Sequence, residues 1–140
     1  MEDKLLSYVR KNAALGLMAV PKLLEKSDDL EFSRKLYERE KEYRRILCDT
    51  ECDSDDNVTC DNELNGFEKY RAEMMLNIGS LPDVSTSQLA EIVVVNSTMG
   101  AIDITRQLRR YPHASRKAKT LAVDLLEIEE NGISQMKRYL

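Results

Sequence analysis

The chain has 140 residues, a length that suits one domain, and its 21 basic and 25 acidic residues leave a net charge of −4. That balance excludes a broad basic surface for nucleic acid or an anionic membrane, and the longest purely apolar run, Ile92 to Val95, falls far short of a membrane-spanning helix. With no tryptophan, few glycines and prolines, and Leu, Ala, Glu, Lys and Arg dominating the periodic segments, the composition predicts an all-α fold.

The first sixteen residues carry acids and polar breaks where a signal peptide would need an apolar core, so a cytoplasmic protein is expected. From Leu5 an apolar stripe through Val9, Ala13, Gly16, Val20 and Leu23 predicts a first helix to about Lys26, with a possible kink point at Pro21. Asp28 and Glu31 have the spacing of a capping box for a second helix, which presents Leu36, Tyr43, Ile46 and Leu47 inward and fades near Cys48. A short helix follows an acidic stretch, with Leu64, Phe67, Tyr70, Met74, Met75 and Ile78 as its apolar positions, and a break over 79–85 stops it. Ser85 and Gln88 repeat the capping-box spacing and open a helix that ends at Tyr111-Pro112. Ser115 caps the last helix, in which Leu121, Ala122, Leu125, Ile128, Ile133, Met136 and Leu140 face inward.

Residues 48–63, CDTECDSDDNVTCDNE, hold three cysteines and seven carboxylates. Alternating oxygens at Asp53, Asp55, Asn57, Thr59 and Asp61 imitate the start of a calcium loop. Val58, however, stands where that loop requires glycine, and Leu64 where it requires a bidentate glutamate. Cys48 and Cys52 are spaced to share a helix face, with Cys60 as a third thiolate, but a structural zinc site takes four ligands and the single histidine, His113, is remote in sequence. The stretch therefore reads as a solvated loop with reduced thiols and no cofactor.

Residues 106–119, RQLRRYPHASRKAK, gather six Lys/Arg. Arg109, Arg110 and Arg116 there form a candidate anion patch with Tyr111 as a stacking face, while cations in the last turn of a helix also complement its dipole. Glu40, Glu91, Asp103, Asp124 and Glu129 lie on or beside apolar stripes. Without any Glu-x-x-His they do not make the usual di-metal site of a helical bundle, and they read as solvent-facing edges, with Glu40 and Glu129 the foremost metal candidates. The helix around AEIVVVNSTMGAIDITRQL is apolar on more than one face and slim at its middle, which predicts a central helix or the seam of a homodimer formed by Val94, Val95, Met99, Gly100 and Ile102.

The first helix together with EKEYRRI (40–46), STMGAIDITRQL (97–108) and LLEIEENGISQMKRYL (125–140) resembles the ferritin-like four-helix bundles, and within them a group of small bacterial helical proteins. The resemblance implies two helical hairpins joined by a long crossover that carries an extra short helix. It does not carry over the family's metal pair, whose ligands this sequence lacks. That topology expects the acidic loop and the turn at Pro112 at one end of the molecule. The sequence as a whole therefore suggests a non-enzymatic bundle acting through helix-mediated association, as a homodimer and without membrane or nucleic-acid partners. The alternatives are a metal- or redox-linked protein using the loop cysteines or inward carboxylates, and a phosphate or nucleic-acid binder using the basic turn.

Overall fold

A computed structural model describes residues 3–51 and 66–140, and all regular structure among them is helical. The elements are α1 (Lys4–Lys26), α2 (Leu30–Glu51), α3 (Gly66–Ile78), α4 (Thr86–Arg110) and α5 (Arg116–Met136), followed by a 3₁₀ turn, Lys137–Tyr139. Local chemistry sets most of the boundaries. Asp3 accepts from the Leu6 amide at the start of α1, and Ser115 accepts from the Ala118 amide at the start of α5. Ser85 and Gln88 complete a reciprocal capping box at the start of α4. The α2 cap lies one residue later than the Asp28 spacing suggests: Asp29 Oδ1 accepts from the Phe32 amide at 2.9 Å. α1 runs continuously through Pro21.

Hydrogen bonds between elements fix their directions. Asp3 and Ser115 meet at one end, where Arg10 also donates to the Thr50 carbonyl at 2.9 Å. At the other end Lys26 donates to the Leu81 carbonyl at 3.0 Å and Ser87 to the Leu140 carbonyl at 3.2 Å. α1, α3 and α5 therefore run one way, and α2 and α4 run back. The end of α2 and the Tyr111–Ser115 turn share one end of the molecule; residues 52–63 of the acidic stretch lie outside the described residues. α3 packs along both α1 and α4.

The apolar interior is divided in two. Near the first end Leu5, Val9, Ile46, Ile104, Leu121 and Leu125 form one cluster. Near the second, Val20, Phe32, Leu36, Leu89, Val93 and Met136 form another. Between them, at the midpoints of the helices, the buried positions are polar: Asn12, Arg71, Asn96, Ser97, Asp103 and Glu129. The largest fully buried side chain is Arg71.

Four expectations are corrected here. Asp103 and Glu129 do not face solvent; both are buried. α3 is rotated by one residue from the expected face, burying Glu68, Arg71, Met75 and Ile78 while Tyr70 is exposed, because its cation has partners inside and its tyrosine has room outside. α2 does not fade at Cys48 but continues to Glu51, with Thr50 buried. Leu140 is exposed, the chain having already left the core at the buried Met136.

Candidate functional site: a polar layer at mid-bundle

Every helix contributes to the polar layer. Tyr8 and Asn12, one turn apart on α1, face the same side as the apolar stripe. Asn12 Nδ2 donates to the Tyr8 hydroxyl at 2.8 Å, and Tyr8 donates to Asp103 Oδ2 on α4 at 2.7 Å. Arg39 and Tyr43 repeat the one-turn spacing on α2. Arg39 Nη2 donates to the Tyr43 hydroxyl at 2.7 Å and to Glu129 Oε1 on α5 at 2.8 Å. It also donates to the Ser97 hydroxyl, and Tyr43 donates to the same Glu129 oxygen.

Arg71 comes from α3 and crosses between α1 and α4. Its Nε donates to Asn96 Oδ1 at 2.6 Å, Nη1 to Asn12 Oδ1 at 2.9 Å and Nη2 to Glu129 Oε2 at 3.2 Å. Each of its three nitrogens thus meets a different helix. Glycines make room for this chemistry. A Cβ at Gly100 would collide with the Glu129 carboxylate, one at Gly132 with the Arg39 guanidinium, and one at Gly16 with the Tyr43 ring. Glycine costs up to about 1 kcal/mol against alanine inside a helix, and here it lets charged groups stand between closely packed backbones.

The electrostatics follow from burial. An isolated charge here would be expensive, whereas a carboxylate held by two guanidiniums and a phenol has its desolvation offset. Burial and then the Asp103 charge push the Tyr8 phenol far above the ordinary tyrosine range. Burial does the same to Tyr43, with Glu129 adding to it against the pull of Arg39. Burial alone would lower the Arg39 pKa, but Tyr43 and Glu129 more than offset it and hold the group above its ordinary value. The layer thus keeps Arg39 charged and its phenols neutral. Each phenol donates to a carboxylate, an arrangement that orders side chains and does not generate a nucleophile. A cavity of about 20 Å³ adjoins it, bounded by Gly16, Val20, Tyr43, Val93 and Asn96, which is room for a single water.

No family model, no curated protein and no solved structure matches the chain.

The residues singled out in the sequence fall in several places. Glu129 is the centre of the layer, whereas Glu40 is half-buried on α2 and pairs with Arg44 at 3.5 Å. Cys48 is exposed on α2, and Cys52 and Cys60 lie outside the described residues. Among the described residues no three His, Cys, Asp or Glu gather as metal ligands, and no helix is long and apolar enough to cross a membrane. Arg109, Arg110 and Arg116 are exposed around the turn. The Arg110 guanidinium lies over the Tyr111 ring, 5.9 Å from its centroid, and Tyr111 also packs on the first apolar cluster. Of the expected seam, Val95 and Ile102 are exposed and Val94 and Met99 half-buried, but Gly100 points inward to Glu129 and Arg71. Tyr8, Asn12, Arg39 and Arg71 are missed by a search for metal ligands or nucleophiles. Their signal is positional: each is a polar residue in an inward register, with Asn12, Arg39 and Arg71 near the middle of their helices and Tyr8 one turn before Asn12.

Proposed function

We propose that the chain is a metal-free, non-enzymatic bundle of ferritin-like topology that acts by helix-mediated association as a homodimer. The observation that carries this reading is a strip on the outer face of α4. Val95 and Ile102 are 38% and 41% exposed, two turns apart, with Met99 half-buried between them. The exposed Thr98 and Thr105 keep that face low and uncharged. The strip is bounded by exposed Glu91 at its start and exposed Arg106 at its end. A two-fold axis across an antiparallel pair of α4 helices, passing between Thr98 and Met99, would set Val95 against Ile102 and Glu91 against Arg106 of the second copy. This is the self-complementary pattern of an isologous contact. Inside the bundle Glu129 is held by the protein's own Arg39 and Arg71 and Asp103 by Tyr8, which supports a structural interior over a catalytic one.

Sedimentation of the purified protein tests this. The expected result is a dimer that becomes a folded monomer in V95E/I102E. Association weakened by E91R should return in E91R/R106E. A wild-type chain that sediments as a monomer at every concentration overturns the reading.

A further inference from the structure

We propose that the middle of the bundle is a guanidinium-binding site, built by α1, α4 and α5 and occupied in cis by Arg71 of α3. The receptor is made entirely from elements other than the one that supplies the ligand. Asn12, Asn96 and Glu129 present three acceptor oxygens, one to each nitrogen of the planar group. All three residues are buried, so the acceptors are desolvated and demand a donor with this geometry.

Two of the three acceptors are also held by partners other than Arg71. Asn12 is oriented by its amide nitrogen donating to Tyr8, which in turn is tied to Asp103. The other oxygen of Glu129 is fixed by Arg39 and Tyr43. Gly100 removes the one side chain that would fill the slot, since a Cβ there would meet Glu129 and lie 3.2 Å from Arg71 Nη1. A polar slot in which Asn12 and Glu129 keep partners of their own is a binding site for the class of group it holds: a small alkylguanidinium. A compact ammonium brings no planar fork to three acceptors on three helices.

Truncation opens the site. In R71A the missing atoms beyond Cβ are those of an ethylguanidinium ion, so that ion is the probe, with ethylammonium at equal ionic strength as its control. Millimolar ethylguanidinium is expected to raise the Tm of R71A by about 5 °C when it is roughly tenfold above its dissociation constant. If R71A is unfolded alone, the ion should restore its helical circular dichroism. Ethylammonium should do neither. Wild type, whose site is filled, should not respond, nor should R71M, whose side chain blocks the slot without charge. R71A/E129Q should lose the response because the anionic wall is gone. An R71A protein that ethylguanidinium does not stabilise or refold, or that ethylammonium stabilises equally, overturns the proposal, as does an equal rise in wild type.

Discussion

The two apolar clusters and most of the polar layer between them are buried, yet they hold the fold by different means. In the cluster around Leu5, Ile104 and Leu125, contacts are non-directional, and a residue of similar volume can replace another at small cost. In the layer each contact has a direction and a named partner. Arg71 in place of a hydrophobe means that α3 has one register against α1 and α4, the register that delivers its guanidinium to Glu129. A buried ion pair is a weak source of net stability compared with well-packed apolar residues. Its contribution here is direction, since three bonds to three helices are met together in one register of α3.

That contrast can be broken first at Glu129. E129Q leaves the buried Arg71 and the half-buried Arg39 beside a neutral amide, and we expect a loss of about 3 to 5 kcal/mol in urea unfolding. By comparison, I104V in the neighbouring apolar cluster should cost about 0.5 to 1.5 kcal/mol. Equal losses would remove the distinction between the two regions. Gly100 comes next. Glycine to a larger residue within a helix ordinarily gains propensity, but G100L must push its side chain into the Glu129 carboxylate and Arg71. Overpacking should cost about 1 to 3 kcal/mol or more, read as a lower Tm; an unchanged Tm would mean the layer yields.

The smallest effect at neutral pH is in the phenols. Tyr8 and Tyr43 are held protonated far above their ordinary range, whereas in the unfolded chain both ionise near about pH 10. Their contribution is therefore fully present below that pH and is lost as pH rises above it, since the unfolded state then sheds protons that the folded state retains. Stability should fall with rising alkalinity, and the tyrosinate absorbance of these two residues should appear together with unfolding. Their ionisation in the folded protein would contradict the network.

Much of the architecture was legible in the sequence. The capping box at Ser85, the cap at Ser115 and the stop at Ile78 are local chemistry, and the structure has them where the residues put them. The stripes of α1, α4 and α5 likewise follow from helical period. The layer was not legible because periodicity scores a buried arginine or glutamate as a fault in the stripe. Choosing the face of α3 by Phe67, Tyr70 and Met74 excluded Arg71, and treating Glu129 and Asp103 as solvent-facing edges excluded their partners. Only contact across helices distant in sequence, such as Arg39 with Glu129 or Tyr8 with Asp103, turns those faults into a pattern.

Arg71 and Glu129 form one unit that joins α3 to the rest of the bundle. A double-mutant cycle of R71M, E129Q and R71M/E129Q, measured by urea unfolding, tests it most directly. The two residues touch, so the double variant should be more stable than the sum of the single losses allows, by about 1 to 3 kcal/mol. Losses that add to within about 0.5 kcal/mol would show that the two residues are not energetically coupled and that α3 is held by its apolar contacts instead.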